Sequence, residues 1–161
     1  MNTVKCSCGC NTASCGVNPC AVTCGCCSGN LGDYAYIFNT AAQTAAADAA
    51  VTFSSNGPLS GTVTHTAGTA ETVIGKTGVY LVSFFFAPTG EAQVTAYRNG
   101  VPIDGATYSG TGTLYGQFVI AGQIGDVITF VNTGTGELTL EAAGTAPEAV
   151  VNASASFVRV F

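Results

Sequence analysis

The stretch Gly78–Phe86, Gly-Val-Tyr-Leu-Val-Ser-Phe-Phe-Phe, constrains this chain more than any other. It follows Gly75 closely and is closed by Pro88. An apolar run bounded by turn residues, with no helical spacing, reads as a strand buried on both faces. Side chains alternate along a strand. Val79, Leu81 and Phe85 therefore share one face, and Tyr80, Val82, Phe84 and Phe86 share the other. Both faces need a cover. One can meet the domain's own core. The other has to meet a second sheet or a second subunit.

The charge content points the same way. Charged residues make up 8% of the chain, against roughly 25% in a soluble domain. A surface covered by identical neighbours needs few charges, so the sequence predicts an assembled protein. Its 161 residues suit one domain with an appendix. The net charge is −5, and the four cations, Lys5, Lys76, Arg98 and Arg159, are scattered. This disfavours a nucleic-acid partner, which requires a basic patch, and none is expected. No apolar run reaches the roughly 18 residues of a membrane span, so no membrane partner is expected. The start, Met1-Asn-Thr-Val-Lys-Cys6, lacks the apolar core of a secretory signal. The chain is expected to stay inside the cell or to leave it by a route other than general secretion.

Residues 1–30 read as a separate connector arm, and residues 31–161 as the folded domain. The arm holds all eight cysteines: Cys6, Cys8, Cys10, Cys15, Cys20, Cys24, Cys26 and Cys27. Gly, Ser, Asn, Thr and Pro19 separate them, with too few apolar side chains for a core. Covalent or coordinative bonds must hold such a segment. Disulfides are one reading, with roughly a hundred possible pairings. Thiolate–metal binding is the other, prompted by Cys6-x-Cys8-x-Cys10. Zinc sites, however, favour paired Cys-x-x-Cys knuckles, and only Cys24 and Cys27 have that spacing, interrupted by Cys26. An arm too small to fold alone makes a tether, and bridges between chains would fix it. Cysteines that begin in a reducing compartment would oxidise late, after assembly.

The remainder reads as short strands. Tyr34–Phe38 is the first. Asn39–Ala50 is Ala-rich, yet it has no apolar stripe and no good cap, so it reads as extended rather than helical. Val51–Phe53 resumes a strand, Ser54–Pro58 is a turn cluster, Gly61–His65 an edge strand and Thr69–Ile74 another strand. Ala92–Arg98 and Val101–Asp104 flank Asn99-Gly100, a strong hairpin signal. Thr107–Thr113 reads as a loop. Leu114–Ala121 is a strand with Leu114, Phe118 and Ile120 on one face and Tyr115 and Val119 on the other. Val127–Asn132 and Leu138–Ala142 read as a second hairpin around Thr133–Gly136. Pro147 breaks the chain, and Ala149–Phe161 ends it as a strand. Nine or ten short strands at even spacing, without helices, predict an all-β antiparallel sandwich or jelly roll.

Gly78-Val-Tyr80-Leu-Val82-Ser-Phe84 resembles the Gly-x-Tyr-x-apolar-x-aromatic signature of the tumour-necrosis-factor and complement one-q globular heads. Val51–Phe53, Arg98–Gly100 and the aromatic last strand fall where that family's elements fall. The texture also resembles the heads of collagen-like proteins on bacterial endospores. The resemblance covers about residues 34–161. It implies a jelly roll of about ten strands that trimerises about a three-fold axis. Tyr80, Val82, Phe84, Phe86, Tyr115, Phe118, Phe157 and Phe161 are then expected in the core or about that axis. The Gly-x-y collagen repeat is absent, and the cysteine-rich arm stands in its place.

Catalysis has little to work with. His65 is the only histidine, and within Thr64-His65-Thr66 it reads as a surface side chain. No Gly-x-Ser-x-Gly motif occurs. The carboxylates Asp33, Asp48, Glu71, Glu91, Asp104, Asp126, Glu137, Glu141 and Glu148 lie mostly in or beside loops, and no pair is marked by spacing. Asp48 and Asp104 are the positions for calcium, yet no dense Asp/Asn loop surrounds them. Asn152-Ala-Ser154 matches the glycosylation pattern but falls in a strand. The expectation is a non-enzymatic protein without cofactor or metal in the head. It would be a structural subunit, stacking as homotrimers into a homopolymeric fibre on the endospore surface, fixed by disulfides, with other spore-coat or exosporium proteins as further candidate partners. The alternative is a trimeric head that recognises a protein or glycan.

Overall fold

In the computed structural model the chain divides at Asn30 and Leu31 into two units. The structure describes residues 32–142 and 149–161. The eight cysteines, and the break expected at Pro147, lie outside the described residues. The strands are β1 (Tyr34–Asn39), β2 (Gln43–Ala45), β3 (Ser55–Ser60), β4 (Thr64–His65), β5 (Thr72–Val73), β6 (Gly78–Phe86), β7 (Glu91–Arg98), β8 (Val101–Thr111), β9 (Leu114–Gly122), β10 (Val127–Asn132), β11 (Leu138–Leu140) and β12 (Ala153–Arg159). Two five-stranded sheets, β3-β1-β12-β6-β9 and β4-β5-β10-β7-β8, face each other, and β11 pairs with β2 apart from them. All the pairings between strands are antiparallel. This is the jelly roll that the spacing of the short strands predicts. Among the described residues no helix is long and apolar enough to cross a membrane.

β6 lies inside its sheet, paired along its length to β9 and over most of it to β12. Its even face, Tyr80, Val82, Phe84 and Phe86, is the floor of the core. Phe130 of the opposite sheet packs against Phe84 and Phe86, with ring centroids 5.3 and 5.7 Å apart. Phe53 adds an edge-on contact to Phe130 at 6.0 Å, and Phe157 closes the cluster. Each such ring contributes about 1.5–3 kcal/mol by leaving water. Tyr80 is buried as well, so its hydroxyl needs a partner. It donates to the Lys76 carbonyl at 2.6 Å.

Several expectations need correction. Ser55–Ser60 is a strand, not a turn, and pairs with β1. Pro58 is tolerated there because β3 is an edge strand, where a missing N–H costs no ladder bond. Gly57 lets that strand lie on the Tyr36 ring, since a Cβ would come within 2.5 Å of it. Val51–Phe53 is no strand. Its buried side chains are held by single bridges, Ala50 to Val131 and Phe53 to Thr69. Residues 107–111 belong to β8 rather than to a loop. Gly105, at φ 75°, absorbs the irregularity in register, and the Thr107 hydroxyl bonds that of Thr95 at 2.9 Å. β10 and β11 form no hairpin, because β11 takes β2 as its partner. Buried Asn132 fixes this choice: its amide donates to the carbonyls of Ala45 and Gly136 at 3.0 and 2.8 Å.

Where the domain begins, Asp33 ties three segments together. Its Oδ1 accepts from the Thr62 backbone N–H and hydroxyl at 2.8 and 2.9 Å, and its Oδ2 faces Arg159 Nη1 at 3.5 Å. Burial pushes the Asp33 carboxyl up. The Thr62 bonds, with the Lys76 and Arg159 charges, outweigh burial and hold it below the usual carboxylate range. A depressed folded-state value gives stability that is complete above the ordinary aspartate value of about 3.9 and is lost as the pH falls through the folded-state value. The stability gap between wild type and Asp33→Asn, followed by urea unfolding, is therefore expected to be widest near neutrality and to close under acid. A gap that does not change with pH would remove this role for the carboxylate.

Candidate assembly face

The odd face of β6 turns away from the core. Strand register places its side chains in rows across the first sheet. One row runs Tyr34, Val158, Leu81, Val119. The next is Tyr36, Ser156, Ser83, Gln117. The third is Phe38, Ser154, Phe85, Tyr115. Val119 is 61% exposed and Tyr115 68% exposed in the single chain. Two largely apolar rows thus flank a polar one. Gln117 Nε2 donates to Ser83 Oγ at 2.8 Å, so the middle row already pairs within itself. Tyr36 and Phe38 stack at 5.6 Å. None of the twelve side chains in these rows carries a charge. Such a face can leave water without stranding an ion, the most expensive event in burial.

The residues singled out from the sequence separate into groups. Tyr80, Val82, Phe84, Phe86 and Phe157 are buried in the single chain, and Phe118 is half-buried against the same core. Tyr115 points outward on the sheet face. Phe161 takes no part in the core: its backbone carbonyl accepts from Val79 N–H at 3.2 Å, but its side chain is exposed. His65 is not a surface residue. It is buried, edge-on to Phe53, with its ring nitrogens against Asn56 Oδ1 and the Thr69 carbonyl. That environment orders the β4 edge. Asp33 and Asp126 are also buried rather than solvated, and Asp126 anchors Asn99 Nδ2 and the Gln123 N–H, each at 2.8 Å. Among the described residues no three His, Cys, Asp or Glu side chains, Asp48 and Asp104 included, gather as a metal site.

Two features escaped the sequence reading. The Gln117–Ser83 seam depends on which strand lies beside β6, and only register shows that. Asn39, at the end of β1, donates its Nδ2–H to Oδ1 of Asn152, just before β12, in a buried hydrogen bond of 2.8 Å, and Asn152 also donates to the Ala41 and Glu141 carbonyls, both at 2.9 Å. Asn152 is 3% exposed, so its amide is committed to the fold rather than presented for glycosylation.

No family model matches the sequence, and no curated protein matches it. Solved structures do. The globular domain of zebrafish complement 1qA protein is similar at a TM-score of 0.61 and 13% identity, covering 80% of this chain and 98% of that one. Eiger TNF from S. frugiperda is similar at 0.61 and 14%, covering 81% and 93%. Murine APRIL is similar at 0.56 and 14%, covering 79% and 98%. At such identities the likeness is one of fold: this chain has the jelly roll of the complement one-q and tumour-necrosis-factor heads.

Proposed function

We propose that the protein is a structural subunit that assembles with copies of itself, as trimers through the outer face of the first sheet. The observation that carries this reading is the uncharged face whose two largely apolar rows hold Leu81 and Val119, and Phe85 and Tyr115. The trimers stack into a fibre of the endospore surface, with each cysteine-rich arm reaching a neighbour and fixed there by disulfides. Sparse charge and the resemblance of residues 34–161 to spore-surface heads support the finer part of the reading. Repeated contacts that do not close into a ring generate a filament.

Val119→Asp tests the face. In a single chain this side chain is mostly in water, so the substitution costs little, within about 0.5 kcal/mol. Buried against another copy, the unpaired carboxylate costs several kcal/mol. The expected result is a monomer by light scattering, with an unchanged circular dichroism spectrum, where the wild-type chain gives trimers or larger. A Val119→Asp chain of wild-type mass would sink the assignment of this face. Electron microscopy of the wild-type protein should show long rods, and discrete trimers alone would rule out the fibre.

A further inference from the structure

The second sheet carries a groove of about 470 Å³ that the assembly reading does not use. Glu91 and Gln93 of β7 and Ser109 of β8 line it, and the Thr133–Gly136 loop forms its rim. That volume is within the range of small-molecule sites, about 300–1,000 Å³. Ala92 is the one hydrocarbon side chain in the lining.

The rim is held in place. Thr133 N–H donates to the Gln93 carbonyl at 2.9 Å, and Gln93 Nε2 donates back to the Thr133 carbonyl and hydroxyl at 3.1 Å. Buried Asn132 accepts from the Gly134 N–H at 3.1 Å and donates to the Gly136 carbonyl. Beneath, the buried Thr95 hydroxyl bonds that of Thr133 at 2.8 Å. A loop of Gly and Thr fixed at so many points loses little entropy when it meets a ligand. Four polar groups of the lining are not spent on these bonds. Among the described residues the side chains of Glu91, Ser109 and Thr135 make no hydrogen bond within the chain, and Gln93 uses only its Nε2.

The chemistry of these groups selects a ligand class. A carboxylate and a carboxamide oxygen accept, and two hydroxyls both donate and accept. Among the described residues no cation lines the groove, which disfavours phosphate, sulfate or an acidic sugar. One carboxylate does not make a metal site. Peptides that add to a sheet need a free strand edge, and β7 is paired on both sides, to β10 and β8. We propose that the groove binds a neutral, hydroxyl-rich saccharide unit, with Glu91 and Gln93 Oε1 accepting from its hydroxyls and Ser109 and Thr135 bonding others. The site lies on the opposite sheet from the assembly face and stands or falls independently of it.

Ligand-observed saturation-transfer NMR on the full chain tests the proposal. The probes are methyl α-mannopyranoside, methyl β-galactopyranoside and N-acetylglucosamine, with sialyllactose and a neutral tripeptide amide as comparators. Transfer to at least one neutral sugar is expected. Glu91→Ala should weaken it about tenfold or more, the worth of a hydrogen bond to a charged group. Asp104→Asn, outside the groove, should leave it unchanged. Transfer to none of the three neutral sugars overturns the proposal. So does transfer that Glu91→Ala leaves intact or that Asp104→Asn weakens equally, or transfer that goes to sialyllactose or the peptide instead.

Discussion

Replacing Phe84 by aspartate is expected to leave the domain unfolded at room temperature. The Phe84 ring is 2% exposed and meets Tyr108, Phe130, Phe86 and Phe118 at centroid distances of 4.9, 5.3, 5.6 and 6.4 Å. Gly116 lies directly beneath it: a Cβ there would come within 2.3 Å of Phe84 Cζ. Truncating such a ring costs about 3–5 kcal/mol through lost burial and the cavity left behind. An unpaired buried carboxylate adds several kcal/mol. The sum rivals the whole stability of a domain, about 5–15 kcal/mol. Phe84→Leu, which keeps most of the volume, should stay folded with a lower urea midpoint. Proton NMR dispersion and urea unfolding distinguish the cases. A Phe84→Asp chain with native dispersion and a wild-type midpoint would remove Phe84 from the core. The contrast with Val119→Asp is informative: one substitution should destroy the fold, while the other should spare the fold and dissolve the assembly.

That contrast also shows what the sequence could and could not convey. Alternation along Gly78–Phe86 divides Tyr80, Val82, Phe84 and Phe86 from Val79, Leu81 and Phe85 correctly. It cannot say which set faces the chain's own core. Partner strands decide that, and β12 comes from more than sixty residues downstream, as its register with β6 requires. Long-range pairing likewise defeated the hairpin expected of β10 and β11. Thr133-Gly-Thr-Gly136 has the composition of a hairpin turn, but the Asn132 amide bends the chain toward Ala45 and Ala46 instead. His65 reads as exposed because its Thr neighbours suggest a polar edge, whereas Phe53 and Asn56, outside that local pattern, cover it. The Asn99-Gly100 turn was legible because its cause is local. Asn99 has φ 53° and Gly100 φ 78°, the left-handed pair that a tight hairpin demands. The polar groove was illegible for the opposite reason: Glu91, Ser109 and Thr135 are ordinary surface residues until two strands and the Thr133–Gly136 loop bring them together.

Removing residues 1–27 is expected to abolish fibres while leaving the jelly roll intact. This truncation takes away all eight cysteines and none of the described strands. Since the core formed by the described residues contains no thiol, the unfolding transition of the truncated chain should match that of the full chain, and the assembly face should still form trimers. Fibres of normal length from the truncated chain would end the connector reading. Reductant applied to the full-length fibre probes the same arm by chemistry. Each disulfide closing a long loop contributes about 2–4 kcal/mol, and a bridge between subunits also bars their separation. Reduction should therefore lower the resistance of the fibre to heat and denaturant without moving the unfolding transition of the domain. Thiolate–metal binding in the arm predicts a different pattern. Chelator rather than reductant would then weaken the fibre, because metal-bound thiolates need their metal and not an oxidant. Non-reducing gels, alkylation with mass spectrometry and elemental analysis of one sample separate the two: blocked thiols without metal support disulfides, and eight alkylatable cysteines with stoichiometric zinc or copper overturn them.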